Sequence, residues 1–221
     1  DFLLQFKNDI SFFNLFEYLT FKTAISAITA LIISFIIGPI TIKKLQKYQI
    51  GEEIRNNGPE SHLAKRGTPT MGGVIIILST LLPTLLFSDL SNIMVLIIAL
   101  STLWMGVIGF IDDYLKIIIK AKDGMIARYK MIGQILLGVI ISYAIINSND
   151  FNGFNTKTTI PFFKNFEFDF GIFYPLLVIL VITATSNAVN LTDGLDGLAI
   201  GLLAICFTVF TAISYISGRV D

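Results

Sequence analysis

The chain has 221 residues, of which 54% are hydrophobic and 14% charged, and its mean hydropathy is +0.75. Its 16 Lys and Arg residues balance 16 Asp and Glu residues, so the formal net charge is zero. This apolar composition argues against an ordinary soluble domain and against a nucleic acid partner. The single Cys206 excludes an intramolecular disulfide and a Cys-based zinc site.

Six long uncharged runs follow one another along the chain. A helix rises about 1.5 Å per residue, so about 20 apolar residues cross a hydrocarbon core of roughly 30 Å. Each run reaches about that length, and only thin polar connectors separate the runs. We therefore predict an all-α, polytopic transmembrane bundle with six spans, forming a single integral membrane domain over residues 1–221. The runs are 23–42, 67–88, 90–111, 131–149, 170–192 and 197–218.

The basic residues predict the orientation in the membrane. Eleven of the 16 Lys and Arg residues lie in the connectors after the first and third spans. Cytoplasmic loops carry excess Lys and Arg, so these connectors are predicted to be inside and the amino terminus outside. Such a basic face suits anionic lipid headgroups or phosphorylated substrates. The outer connector, residues 148–170, alternates aromatic and polar residues and predicts a short interfacial hairpin.

Three segments on the predicted cytoplasmic side carry the candidate chemistry. The first is GPESHLAKRGTPTMGG, residues 58–73, whose Pro and Gly residues suit a turn into a helix that a ligand can approach. A plain small-residue helix contact would look similar. His62 and Lys65 add donors for phosphate or uracil oxygens, which favours a binding segment.

The second segment is GFIDDYLK, residues 109–116, where the third span ends. Asp112 and Lys116 are four residues apart and share a helix face, so a plain surface ion pair is one interpretation. However, two adjacent carboxylates at a membrane boundary repel each other and need a divalent cation or a Lys nearby. Downstream, Arg128 and Lys130 are either ordinary cytoplasmic positive charges or ligands for a lipid phosphate.

The third segment, NAVNLTDGLDGLA, residues 187–199, joins the fifth and sixth spans. Asn187, Asn190, Asp193 and Asp196 are each three residues apart and would form one polar stripe on a helix. Polar residues inside membrane segments are usually functional. Carboxylates are hard oxygen ligands that suit Mg²⁺, so the segment predicts a magnesium site.

Together, the three segments bring four Asp, two Asn and several Lys residues to one face. Phosphoryl transfer between an anionic nucleophile and a pyrophosphate needs such a set, because Mg²⁺ and Lys screen the charge while helix ends position the groups. A cation or proton transporter with Asp and Asn at broken helices is the alternative of another class. A transporter would place its acids nearer mid-span, whereas Asp112, Asp113, Asp193 and Asp196 lie at span ends.

The three segments resemble, in the same order, the bacterial phospho-N-acetylmuramoyl-pentapeptide transferase (MraY) family. The resemblance implies transfer of phospho-N-acetylmuramoyl-pentapeptide from its UDP conjugate to undecaprenyl phosphate, with Mg²⁺ required. The products would be lipid I and UMP, in peptidoglycan synthesis at the bacterial cytoplasmic membrane, and the enzyme would be a homodimer. A related transferase that uses UDP-N-acetylglucosamine is the alternative within the enzyme class, although the GTPTMGG sequence argues against it.

The resemblance also implies roles for individual residues. Asp112 and Asp113 match the paired acidic motif, with Asp112 as base or organiser for the lipid phosphate. Asp193 and Asp196 match the second acidic motif and would be catalytic metal ligands. The implied substrate-binding residues are His62, Lys65, Thr70, Lys116, Lys130, Asn187 and Asn190. A one-step attack by the lipid phosphate and a two-step route through a phospho-aspartate both use these carboxylates.

Members of the family have about ten helices, whereas this chain shows six spans before Asp221. A later cytoplasmic segment with a further metal-ligating Asp does not appear, nor does the family's histidine-rich loop. We therefore expect the chain to be the amino-terminal part of a longer protein, with an incomplete metal site.

Overall fold

The structure is a computed structural model that describes residues 11–47, 70–121, 124–147, 156–159, 167–193 and 197–218. Three residues of the predicted site, His62, Lys65 and Asp196, lie outside the described residues. Within the described ranges the chain forms α-helices, two short 3-10 helices and one pair of strands.

Each predicted span coincides with one helix. The helices are α1 (Leu19–Lys47), α2 (Gly73–Phe87), α3 (Ile93–Ile117), α4 (Ala127–Asn147), α5 (Tyr174–Thr192) and α6 (Leu198–Ser217). Short 3-10 helices, Ser11–Glu17 and Gly171–Phe173, precede α1 and α5. Asn92 caps α3 by accepting the N–H of Met94 at 2.9 Å, and Pro175 lies at the start of α5, where its missing N–H costs nothing.

Five of these helices are long and apolar enough to cross a membrane. The exception is α2, whose 15 residues extend about 22 Å at 1.5 Å per residue, less than a typical hydrocarbon core. Large apolar side chains cover the helix surfaces; Phe35 on α1 is 77% exposed and Leu191 on α5 is 83% exposed. The prediction of an all-α polytopic membrane protein is confirmed, and five of the six predicted spans correspond to described helices that are long enough to cross a membrane.

The described chain divides into two compact units. The amino-terminal unit comprises residues 1–133 and 144–153, and the carboxyl-terminal unit comprises residues 134–143 and 154–221. Residues of α4 contribute to both units. The prediction of a single membrane domain stays a prediction.

The amino-terminal unit packs α1 on α2 and α2 on α3. Phe16, from the first 3-10 helix, is buried and stacks on Phe87 at the end of α2, with ring centroids 6.0 Å apart. Phe21 of α1 meets Phe16 edge to face at 5.1 Å. This aromatic cluster ties the segment before α1 to the end of α2.

Glycine brings α3 close to its neighbours in the same unit. A Cβ added to Gly106 would lie 2.3 Å from Cδ1 of Ile77 on α2, and one added to Gly133 would lie 2.6 Å from Cδ1 of Ile108. The indole N–H of Trp104 donates to the Gly133 carbonyl at 3.0 Å, which adds a polar contact between α3 and α4. Small residues and hydrogen bonds are the usual means by which membrane helices associate.

The carboxyl-terminal unit contains a short antiparallel pair, β1 (Lys157–Thr159) and β2 (Glu167–Asp169), in which Lys157 pairs with Asp169. The Asp169 carboxylate accepts hydrogen bonds from the Thr156 hydroxyl and from the Gly171 N–H. These bonds hold the pKa of Asp169 below its ordinary value. The predicted hairpin is confirmed as a strand pair, and its position at the membrane interface stays a prediction.

Helix α4 comes close to α5 at Gly138. A Cβ at this position would lie 2.9 Å from Cα of Ile179, so backbone faces backbone at this point. We predict that Gly138→Ala destabilises the protein by about 1–3 kcal/mol, the usual cost of overpacking. The measurement is the thermal unfolding midpoint in detergent.

Gly201→Ala on α6 is the matched control, because no described atom lies within 4 Å of the added Cβ. Alanine also favours a helix over glycine, so its midpoint should stay the same or rise. Equal midpoints for the two variants would contradict the close contact at Gly138.

Candidate active site

Asp112 is the buried acid near the end of α3, with 7% of its surface exposed. Its Oδ2 accepts hydrogen bonds from Lys116 Nζ at 3.0 Å and from Lys130 Nζ at 2.8 Å. Its Oδ1 accepts the backbone N–H of Met125 at 2.8 Å. The ion pair with Lys116 that the sequence spacing predicted is present, and the pair with Lys130 joins α3 to α4. We call these four residues the Asp112 cluster.

The loop between α3 and α4 returns to Asp112 through two residues with positive φ, Lys120 at 57° and Gly124 at 65°. A Cβ on Gly124 would lie 2.6 Å from Asp112 Oδ1 and 2.6 Å from Cγ and Cε of Lys116. Only glycine combines this backbone conformation with so close an approach. Gly124 was not predicted from the sequence, although the Asp123-Gly124 dipeptide is a turn signal.

Asp113 is the neighbouring acid, and its surroundings differ from those of Asp112. It is half-buried and interacts with the backbone N–H of Met71, a residue with φ of 68°. Among the described residues, the ion pairs at this end of α3 go to Asp112 and none goes to Asp113. The two acids that the sequence paired therefore differ: Asp112 accepts hydrogen bonds from both lysines, whereas Asp113 interacts with the backbone N–H of Met71 and feels the two lysine charges without a described ion pair to them.

Thr70 lies immediately before Met71, and its hydroxyl is buried. Within the described part of the chain, Thr70 Oγ1 makes no hydrogen bond. Buried hydroxyl groups almost always have a partner, so an unpaired one is a candidate ligand contact. The place of Thr70 in the site stays a prediction.

The third segment lies in the carboxyl-terminal unit. Asn187 and Asn190 lie three residues apart on α5, as predicted, and both are exposed. Asp193 follows the last helical residue with φ of −77° and ψ of 45°, and its N–H donates to the Val189 carbonyl at 3.1 Å. The polar stripe therefore ends at Asn190, because the backbone leaves the helix at Asp193 before it can extend toward Asp196.

Asn187 has a buried partner that the sequence analysis missed. Gln134 on α4 is 4% exposed, and its Oε1 accepts a hydrogen bond from Asn187 Nδ2 at 3.0 Å. The signal was a polar residue inside the uncharged run 131–149, where a side-chain amide needs a partner.

The described parts of the first and second segments lie in the amino-terminal unit, and the described part of the third lies in the carboxyl-terminal unit. Lys116 and Lys130 meet at Asp112, with Asp113 next in sequence, while Asn187, Asn190 and Asp193 follow one another at the end of α5. The convergence of the three segments on one site stays a prediction.

The oxygen ligands that the structure exposes fit a hard divalent cation. Asp193 and Asn190 are exposed and offer a carboxylate and an amide oxygen, which are ligand types that Mg²⁺ accepts. The Asp112 carboxylate is less suited, because it already accepts three hydrogen bonds, two of them from ammonium groups. The residues that the structure describes form no group of three or more His, Cys, Asp or Glu side chains.

The chain matches a family model described as glycosyl transferase family 4 over residues 95–221, more than half of its length. The chain belongs to this family. The matched region contains the acids Asp112, Asp113, Asp193 and Asp196. A second model, the phospho-N-acetylmuramoyl-pentapeptide-transferase signature 1, matches residues 65–77, which include Lys65 and Thr70.

The chain is also similar to curated proteins that carry the name of this transferase signature. It is 48% identical to the phospho-N-acetylmuramoyl-pentapeptide-transferase of Desulforapulum autotrophicum, over 99% of the chain and 60% of that protein. It is 46% identical to the protein of the same name from Pelobacter propionicus, over 98% of the chain and 60% of that protein. The resemblance seen in the sequence is confirmed, and the chain spans about 60% of the length of these relatives.

We predict that Gly124→Ala opens the loop between α3 and α4. The left-handed conformation costs a non-glycine residue about 1–2 kcal/mol, and the added Cβ collides with Asp112 besides. We expect the Met125 amide to exchange with solvent about tenfold faster, as an energy of 1.4 kcal/mol implies. Hydrogen exchange followed by mass spectrometry measures this rate.

Gly109→Ala on α3 serves as the control, since no described atom lies within 4 Å of the added Cβ. Its Met125 amide should exchange at the wild-type rate. An unchanged rate in Gly124→Ala would show that the contact with Asp112 does not hold this loop.

Proposed function

We propose that the protein transfers phospho-N-acetylmuramoyl-pentapeptide from its UDP conjugate to undecaprenyl phosphate, giving lipid I and UMP. The observation that carries the proposal is the Asp112 cluster at the end of a membrane-length helix, in a chain with the transferase signature. The relatives' names state the same transfer of phospho-N-acetylmuramoyl-pentapeptide. The cluster supplies the positive charge that a phosphate at the membrane surface needs.

In this proposal Asp112 acts as an organiser rather than as the base. Each Lys ammonium has three donors and uses one of them on Asp112 in the described structure, so two remain for phosphate oxygens. Lys116 and Lys130 have side-chain exposures of 45% and 26%, so a ligand can reach both. Asp112 thereby holds the two lysine ammonium groups in place, and each ammonium keeps donors that can bind an incoming phosphate.

Asp113 is the carboxylate left for chemistry at this end of α3. In a direct transfer, a lipid phosphate oxygen forms a bond to the sugar-linked phosphorus of the UDP conjugate, and the bond from that phosphorus to the UMP oxygen breaks. In a two-step transfer, a carboxylate oxygen first bonds to that phosphorus as the bond from the phosphorus to UMP breaks, and a lipid phosphate oxygen then bonds to the phosphorus as the bond to the carboxylate breaks. Both routes release UMP, and both need positive charge near the transferred group.

We also propose that the protein binds Mg²⁺. Its ligands in this chain are Asp193 and Asp196, with Asn190 beside them. When bound, the ion would screen the pyrophosphate charge and favour departure of UMP. Asn187 and Asn190 bind the nucleotide-sugar substrate, together with His62, Lys65 and Thr70. Undecaprenyl phosphate approaches Lys116 and Lys130 from the bilayer.

The location and assembly are parts of the same proposal. We place the protein in the bacterial cytoplasmic membrane as one domain, with the amino terminus outside and the site on the cytoplasmic face. The excess of Lys and Arg in the two connectors supports this orientation. We also propose a homodimer, on the resemblance alone.

UMP release by the purified full-length protein in detergent tests the function. With undecaprenyl phosphate and Mg²⁺, we expect UMP from the UDP-N-acetylmuramoyl-pentapeptide and none from UDP-N-acetylglucosamine. Chelation of the metal by EDTA should abolish release, and added Mg²⁺ should restore it, because the pyrophosphate charge needs a divalent counter-ion. Release from UDP-N-acetylglucosamine alone would replace the proposed substrate, and no release from either would contradict the enzyme assignment.

We predict that Asp193→Asn abolishes transfer while the protein stays folded, because the change removes a carboxylate of the proposed metal site from an exposed turn. The measurements are the UMP release rate and the thermal unfolding midpoint. Glu167→Gln, an exposed carboxylate that pairs with Lys157 at 3.4 Å on the strand pair, is the control and should keep wild-type activity. Full activity of Asp193→Asn would remove this residue from the site.

A further inference from the structure

Gln134 is a buried side-chain amide within a membrane-length helix, and both its polar atoms find partners on α5. Its Nε2 donates to Ser186 Oγ at 3.0 Å, and its Oε1 accepts from Asn187 Nδ2 at 3.0 Å. An amide buried without hydrogen bonds is costly in an apolar environment. The pairing of α4 with α5 at this level therefore depends on these bonds.

The backbone determines which way each amide is turned. Asn187 Nδ2 lies 2.7 Å from the Thr183 carbonyl oxygen, which can only accept a hydrogen bond. The atom at that position must therefore be the nitrogen of Asn187. The Gln134 atom facing the same nitrogen must be its oxygen, and this leaves the Gln134 nitrogen for Ser186.

The orientation has a chemical consequence for Asn187. Its amide nitrogen has two N–H groups, and Gln134 and Thr183 accept one each. No described residue donates to Asn187 Oδ1, and the side chain is exposed. Asn187 therefore presents an acceptor and no free donor to a ligand.

One close approach between α4 and α5 is consistent with this arrangement. Gly138 lies one turn after Gln134, where the absence of a Cβ lets α4 approach the Ile179 backbone. The Gly138 contact and the Gln134 hydrogen bonds thus act together on the α4–α5 pair.

We propose that Gln134 is a positioning residue, which turns the Asn187 amide so that Oδ1 accepts a hydrogen bond from an N–H or O–H group of the nucleotide-sugar substrate. This inference rests on the proposed function, because it requires that Asn187 contacts the substrate. Gln134 itself is buried and acts through Asn187. Its role is then in substrate binding and separate from the chemical step.

A double-mutant cycle in the full-length protein tests this role. The variants are Gln134→Met, which keeps the side-chain length, Asn187→Ala, and the two combined. Loss of a hydrogen bond is worth about 1 kcal/mol, so we expect Gln134→Met to raise KM for the UDP conjugate about fivefold with kcat nearly unchanged. Because Gln134 acts through Asn187, the combined variant should have the KM of Asn187→Ala alone.

Independent effects of the two substitutions would multiply in the combined variant, and this result would overturn the proposal. A fall in kcat with no change in KM would also overturn it. If the wild-type protein releases no UMP, the proposed function fails and the role of Asn187 with it. Multiplied KM effects in an active protein refute the positioning role alone.

Two further variants separate positioning from folding. Ser142 is 2% exposed on the same helix, and its hydroxyl donates only to the carbonyl of Gly138, within α4, so Ser142→Ala should leave KM unchanged. If Gln134→Met does not fold, Ser186→Ala removes the group that holds Gln134 Nε2. It should raise KM about twofold, and this rise should disappear in the Asn187→Ala background.

Discussion

The amino-terminal unit depends on compensation of the buried charge of the Asp112 carboxylate. A charge at the end of a membrane helix is costly unless nearby groups compensate it. Lys116 supplies one cation from the same helix, Lys130 supplies a second from α4, and Met125 supplies a backbone N–H from the loop between them. The Asp112 side chain therefore joins two helices and holds the loop between them. Removal of any partner would leave a buried charge partly unpaired.

The helices themselves associate through small residues and a few hydrogen bonds. Large apolar side chains also remain exposed along every helix. Close approaches occur at Gly106, Gly133 and Gly138, and Trp104 and Gln134 add polar contacts between helices. In a membrane, apolar side chains gain little by leaving lipid for protein, so close packing and polar pairs determine which helix faces meet.

The neighbouring acids Asp112 and Asp113 have different surroundings in this packing. Successive residues on a helix point about 100° apart, since a turn takes about 3.6 residues. Asp112 consequently meets Lys130 and the loop, while Asp113 meets the backbone at Met71. In the other unit, Gln134 and Thr183 satisfy the donors of Asn187 and leave its acceptor open, which suits recognition of a hydrogen-bond donor.

The sequence by itself determined the membrane-spanning helices, the Asp112–Lys116 pair and the helical spacing of Asn187 and Asn190, because apolar length and helical periodicity are local properties. It did not reveal that Asp193 leaves the helix. Only the tertiary structure decided that Lys130, 18 residues away, joins Asp112, and that Gln134, 53 residues away, orients Asn187. Such contacts depend on loop closure at Gly124 and on helix approach at Gly138, and spacing along one helix carries no information about either.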